Sequence, residues 1–221
     1  MPNGLISHPA PGLFLKIKYP KKFDGTALCI SAIAPDFNVF VSPFLPFDFR
    51  SITHSLLGLI IYTIPITIIL SILFCSYIGP YIAKIAKKEK RLYKPLRFFG
   101  LDHWNYLKSK KYDKKYFIMV FYSALIGGLT HILFDLPAHG RIVMFFPLIL
   151  QSPDFLLYSI VDFGPIMIGP FLIQRNFTIY QIIWFIEDII LLVGSLYLLR
   201  YIKKNNLISK WYIGEKGVTE K

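Results

Sequence analysis

The chain has 221 residues, 54% of them hydrophobic and 17% aromatic, with a mean hydropathy of +0.50 and a formal net charge of +12. That length fits one domain, and that apolar content is too high for an ordinary soluble globule. The positive charge does not indicate a nucleic-acid partner: 12 of the 25 basic residues fall between Lys84 and Lys115, six more lie from Arg200 onward, and no recognition module accompanies them.

In chain order, Ser7-His8-Pro9-Ala10 opens with a helix start, Ser7 as the cap and proline in the first turn. A short helix then runs towards Lys18 and breaks at Pro20, and Asp24 or Gly25 restarts the chain into an apolar segment that ends at Pro35-Asp36. Residues 8–37 are thus expected as a helical hairpin whose tip carries Lys16, Lys18, Lys21 and Lys22 and whose two ends bring His8 and Asp36 together. Those lysines follow the first apolar stretch, the reverse of the order in a secretory signal peptide. Residues 41–53, rich in Pro, Phe and Ser, are expected as a loop, with Ser51 or Thr53 capping the next helix and His54 in its first turn.

From Ser55 to Ala83 there is no charged residue. A bilayer crossing needs roughly 20 apolar residues, so this run spans, with room to tilt or bend at Pro65 or Pro80. The basic loop, 84–115, follows, and then a second span from Tyr116 to Leu136, limited by Pro137. Residues 141–175 are apolar but broken by Pro147, Pro153, Pro165 and Pro170, and fit a re-entrant pair, two imperfect spans or interfacial helices. Phe177 to Ile202 is the last clear span, and the tail, 203–221, follows it. Basic residues concentrated beside spans mark the cytoplasmic side, which puts both the loop and the tail there. The expected fold is therefore all-α: a single membrane-embedded domain over residues 1–221, multi-pass in the cell membrane, with four to six inserted segments. Cys29 and Cys75, both in apolar segments and far from any C-x-x-C spacing, read as buried spectators.

Candidate chemistry concentrates in Leu129-Thr130-His131-Ile132-Leu133-Phe134-Asp135-Leu136-Pro137-Ala138-His139. On a helix His131 and Asp135 share a face, and an imidazole and a carboxylate at membrane depth are costly unless they hold a metal, a proton path or each other. Ala124, Gly127 and Gly128 precede them on nearly the same face, where a second helix can approach closely. His8, Asp36 and His54 also sit at the ends of apolar segments, leaving only His103, in the basic loop, outside the pattern. With the loop inside, His54, His131 and Asp36 fall at similar depths in the outer half of the membrane. His and carboxylate donors suit a divalent metal, zinc first, with manganese and iron as neighbours in preference. Glu187 and Asp188, near the middle of the last span, need a partner, a proton or water, and at most one of them can point squarely at such a site.

Four strings in order, Ser7-His8-Pro9-Ala10, Ala34-Pro35-Asp36-Phe37, Thr53-His54-Ser55-Leu56-Leu57-Gly58 and the stretch from Leu125 through His139 to Pro147, resemble an uncharacterised family of prokaryotic integral-membrane proteins. That family opens with Ser-His-Pro-Ala, carries a Met-Ala-Pro-Asp-Phe-like turn and a His-Ser-Leu-x-Gly span, and closes with Gly-Ala-x-Ser-His-x-x-x-Asp-x-x-Thr-His. More distantly, the chain is similar to inner-membrane metal-dependent hydrolases. The resemblance covers residues 7–147 and implies a helical membrane fold with a metal site on His8, Asp36, His54, His131, Asp135 and His139. Thr130 stands where the pattern has Ser, and Pro137-Ala138 where it has Phe-Thr; both changes leave the ligand positions intact.

The function expected from all this is a metal-dependent hydrolase acting on a lipid or lipid-linked ester or phosphoester. His54, His131 and Asp135 are ligands, Asp36 is a ligand or the base that receives the proton of water, and His8 and His139 complete the shell or touch the substrate. A proton- or metal-ion transporter using the same cluster, or an assembly factor with a structural metal, is the alternative.

Overall fold

A computed structural model of the chain describes residues 4–135, 141–145, 148–151, 153–168 and 171–212. One helical turn, Gly4–Ser7, leads into helix α1, Pro9–Lys18, which tolerates two prolines in its first turn because the missing N–H groups have no intrahelical partner there. Ser7 does not cap it. The N-cap is His8, without a side-chain hydrogen bond, and the Ser7 carbonyl instead accepts from the Ser195 hydroxyl at 3.4 Å. Helix α2, Gly25–Ser31, starts as expected at Asp24, whose Oδ1 accepts from the Ala27 N–H at 2.9 Å. The two helices fold back on each other with Gly12 against Leu28, where an added Cβ would stand 3.0 Å from the Leu28 Cβ. The hairpin tip is not uniformly solvated: Lys16 is buried and donates to the Pro20 and Phe23 carbonyls at 2.7 and 2.8 Å.

After α2 the chain bends by 50° into tight turns at Ala34–Phe37, Asn38–Val41 and Ser42–Phe44. A further helical turn, Phe49–Thr53, occupies part of the expected loop, with Asp48 accepting from the Ser51 N–H. Helix α3, Leu56–Ala86, is capped neither by Ser51 nor by Thr53 but by Ser55, which accepts from the Gly58 N–H at 3.0 Å. Two wide π turns interrupt it, Leu59–Thr63 and Phe74–Ile78. Each contains the residue four before a proline, Ile61 before Pro65 and Ser76 before Pro80, so the widened turn makes room for a ring that would otherwise strike that carbonyl.

Helix α4, Lys114–Asp135, and helix α5, Ile179–Lys204, are the other two long helices; α5 opens on a Thr178/Gln181 capping box. A short helix α6, Leu207–Tyr212, follows a left-handed Asn206. α3, α4 and α5 are each long and apolar enough to cross a membrane, and a fourth crossing arises if the bent segments between Gly25 and Phe44 count as one.

Between α4 and α5 the described residues form two strand pairs and one short 3-10 turn, Asp154–Leu157. Strand β1, Arg141–Phe145, pairs antiparallel with β2, Leu148–Gln151, and β3, Ser159–Ile168, with β4, Phe171–Thr178. The fold is thus mostly helical, not all-α. Prolines 147, 153, 165 and 170 interrupt any helix, whereas a two-stranded hairpin consists only of edges, where a missing N–H is tolerated.

The helices pack with small and hydroxyl residues inside and large apolar ones outside. Thr63, Thr67 and Ser71 of α3 and Ser123 and Ala124 of α4 are buried, while Ile60, Ile69, Tyr77, Phe121, Phe185 and Val193 are exposed. α2 and α3 lie directly on the α4 backbone: a Cβ at Gly127 would strike the Ser31 hydroxyl and the Leu28 carbonyl, and one at Gly128 would strike Leu59. Gly127→Val is therefore expected to cost on the order of 1–3 kcal/mol and to lower the thermal midpoint in detergent by several degrees; an unchanged midpoint would contradict this contact.

At the opposite end of α4 from Asp135, the basic loop folds against the N-terminal hairpin and the end of α5. Lys203 Nζ lies 2.6 Å from Asp102 Oδ2 and 2.8 Å from His103 Nε2, and Arg200 donates to the Phe98 carbonyl at 2.8 Å. The loop and the end of α5 thus share one end of the molecule.

Candidate metal centre

His131 and Asp135 project from one face of the last turns of α4, four residues apart as helical spacing requires, and both are 1% exposed. His54 comes from the turn that precedes α3, and Asp36 from the tight turn after α2. His54 Nε2 stands 3.4 Å from Asp36 Oδ1 and 3.4 Å from Asp135 Oδ2. His131 Nε2 stands 3.7 Å from Asp36 Oδ1 and 3.4 Å from Asp135 Oδ2. One ligand atom from each of the four residues lies within 4.8 Å of every other.

These separations are longer than ordinary hydrogen bonds, and the Nε2 atoms of His54 and His131 are buried with no hydrogen-bond partner. They do match a shared ion: two donors each ~2.1 Å from one tetrahedral metal are about 3.4 Å apart. Buried imidazole nitrogens left open towards two carboxylates are costly as a bare arrangement and reasonable as a coordination shell. The residues therefore fit a divalent cation.

The other ring nitrogens are anchored. His131 Nδ1 bonds the Ala32 carbonyl at 2.8 Å, at the end of α2. His54 Nδ1 is 3.2 Å from the Arg50 carbonyl and 3.0 Å from the Thr53 hydroxyl. An Nδ1–H donated to a carbonyl leaves the Nε2 lone pair free to coordinate, the usual second anchor of a metal-binding histidine. The Gly127 contact acquires a role here, because the close approach of α2 to α4 sets the position of the Ala32 carbonyl.

His8 adjoins this group without belonging to it. Its ring packs edge-on against His131, centroids 4.7 Å apart, and its Nε2 is 3.9 Å from both Asp36 Oδ2 and Asp135 Oδ1. A small cleft opens on that side, lined by His8, Asp135, Phe134, Trp184, Glu187 and Asp188. Glu187 and Asp188 therefore both face the neighbourhood of the site from α5, although adjacent helical positions diverge. His139 lies outside the described residues. His103, whose place in the basic loop suggests a solvated or interfacial histidine, is half-buried and clasped with Lys203 and Asp102; burial, then the Lys203 charge, push its pKa down. Cys29 and Cys75 are free thiols, and Cys75 is buried.

Sequence reasoning did not find the carbonyls of Ala32 and Arg50 or the Thr53 hydroxyl as anchors. A backbone carbonyl carries no side-chain signal, and only Thr53, beside His54, was findable in principle.

A family profile described as a domain of unknown function, DUF4184, matches residues 1–199. No curated protein and no solved structure matches the chain.

Proposed function

We propose, for a chain that belongs to the DUF4184 family of uncharacterised domains, that it is a multi-pass membrane protein holding a divalent metal between Asp36, His54, His131 and Asp135, and that it hydrolyses an ester or phosphoester of a lipid or lipid-linked molecule. The observation that carries this is the convergence of two anchored imidazoles and two carboxylates, with His–Asp donor atoms 3.4 to 3.7 Å apart, inside a bundle of apolar helices. The membrane part is supported by three helices of sufficient length whose large apolar side chains point outward. The basic loop and the end of α5 share one end of the molecule, which is consistent with the cytoplasmic side that their basic residues suggest; on that reading the metal centre faces the outer leaflet.

When bound, such a metal lowers the pKa of a water molecule and polarises the scissile group. His54 and His131 offer neutral nitrogens, and Asp36 and Asp135 supply two negative charges that balance a divalent ion and favour zinc or manganese. We assign Asp36 to a ligand position, since its Oδ1 faces both histidines. Phe134 and Trp184 give the small cleft beside the site apolar walls, which favours a lipid over a soluble substrate.

The test is hydrolysis of a panel of phospholipids and lipid-linked phosphates by metal-loaded protein. Product release is expected for one class and should disappear on chelation and in His54→Ala. Protein that holds its metal yet releases nothing from the panel would sink the hydrolase; metal or proton flux in proteoliposomes without product would assign the cluster to transport.

A further inference from the structure

We propose that the centre holds two cations: a second divalent ion sits between His8, the far oxygens of Asp36 and Asp135, and Glu187. This rests on the first metal position proposed above. Both carboxylates are two-sided. His54 and His131 approach Asp36 through Oδ1 and Asp135 through Oδ2. His8 approaches the same two residues through the opposite oxygens, Asp36 Oδ2 and Asp135 Oδ1, at 3.9 Å each. A carboxylate that turns one oxygen to each of two nitrogen donors on different sides has the disposition of a bridge between two metals.

His8 is the independent sign that something binds on its side. Its side chain is 8% exposed, and both ring nitrogens are buried without a hydrogen-bond partner. A separation of 3.9 Å is too long for a hydrogen bond but within the ~4.2 Å that separates opposite donors of one ion at ~2.1 Å each. Yet His8 falls outside the group of four whose donor atoms are mutually within 4.8 Å, so it does not share their centre. Glu187 Oε1 is likewise buried without a partner, and Glu187 lines the same cleft as His8 and Asp135. The packing of α5 on the N-terminal helices, marked by the Ser195 bond to the Ser7 carbonyl, brings it there.

Charge balance points the same way. Asp36, Asp135, Glu187 and Asp188 bring four carboxylates to the site and its cleft, more formal negative charge than a single divalent ion carries in apolar surroundings. Two divalent ions bring the formal sum to zero, so an anionic substrate meets no net negative charge. The second position, richer in oxygen, favours manganese or magnesium over zinc. Two ions about 3.5–4 Å apart clamp a phosphoryl group, so the paired centre selects a phosphoester over a carboxylic ester within the class proposed above.

The experiment is titration of metal-stripped, detergent-purified full-length protein with Mn2+, read as equivalents bound and by electron paramagnetic resonance. Wild type is expected to take two equivalents, with the six-line signal of isolated Mn2+ replaced by a broad exchange-coupled one. His8→Ala and Glu187→Gln should each take one equivalent with an isolated six-line signal, or bind the second at least tenfold more weakly. A retained first equivalent shows that the variant is folded; should His8→Ala bind none, Glu187→Gln decides. Wild type saturating at one uncoupled equivalent overturns the second site and leaves the first standing. Two undiminished equivalents in both variants also overturn it, and no binding by wild type overturns both positions together.

Discussion

Replacing either His131 or Asp135 by alanine is expected to abolish stoichiometric metal binding, and the double variant should be little worse than either single change. The two side chains lie four residues apart on α4, and each meets the donor atoms contributed by Asp36 and His54 or by one another at 3.4 to 3.7 Å. Residues that serve one unit are strongly non-additive, because losing the first already loses the unit. His103→Ala, at the far end of the molecule in its clasp with Lys203, should leave binding untouched. Metal content and thermal midpoint measured together distinguish this from a purely structural pair. In a structural pair, wild type carries no metal and each single change strands a buried polar group at a cost of about 1–3 kcal/mol.

Asp24→Ala is expected to be the most destabilising single change away from the metal centre, by about 3–5 kcal/mol for the broken buried pair. Asp24 and Lys110 face each other at 2.7 Å with side chains 1% and 4% exposed, and Asp24 also caps α2. Its backbone N–H bonds the Ser123 hydroxyl of α4, and Lys110 reaches the Thr26 hydroxyl as well, so the carboxylate joins the hairpin to the basic loop while the backbone ties the same residue to α4. The double variant Asp24→Ala/Lys110→Met should recover much of the loss, because it leaves no uncompensated buried charge. Although burial alone would raise the carboxyl, the Lys110 charge and hydrogen bonds hold Asp24 below its usual 3.8. Its stabilisation is therefore fully present above pH 3.8 and is lost as pH falls through the lower, folded value. Burial opposes the charge of Lys110, but Asp24 lifts its pKa well above 10.5, so its share is present below 10.5 and is lost only as pH rises through that higher value. Lys16, drawn down to about 8 by burial, acts in the opposite sense between 8 and 10.5. Thermal midpoints measured against pH should show the acid limb in wild type and its absence in Asp24→Ala; the same limb in both would contradict the assignment.

The long helices were legible because each satisfies a simple criterion of length and apolarity, and the hairpin at residues 8–37 because Pro20, Asp24 and Pro35 punctuate it. His8 and Asp36 do meet at its open end, as that hairpin implies. The Gly127 and Gly128 face was readable from helical periodicity, although not the fact that two different helices use it. The region from 141 to 178 was not legible: its residues are apolar enough for helix or strand, and pairing between distant residues such as Ser159 and Thr178 leaves no local periodicity to find. Sequence reasoning places the cap of α3 two or four residues early because Ser51, Thr53 and Ser55 are all suitable cap residues, whereas Ser51 and Thr53 lie inside the turn Phe49–Thr53 and Ser55 has the extended backbone a cap requires. At the site, the donors were visible as residue types, whereas their division between the two oxygens of each aspartate depends on side-chain rotation. Nothing local in the sequence marks Lys16 and Lys110 as buried, because their partners, two carbonyls and one distant aspartate, lie far off in sequence or on the backbone.

The most direct measurement is the metal content of wild-type protein purified without chelator or metal-affinity resin and analysed by inductively coupled plasma mass spectrometry. At least one equivalent of zinc or manganese per chain is expected, surviving dialysis and lost in His131→Ala. Metal-free wild type that also fails to take up Zn2+ or Mn2+ on dialysis against micromolar concentrations of either would contradict the metal centre.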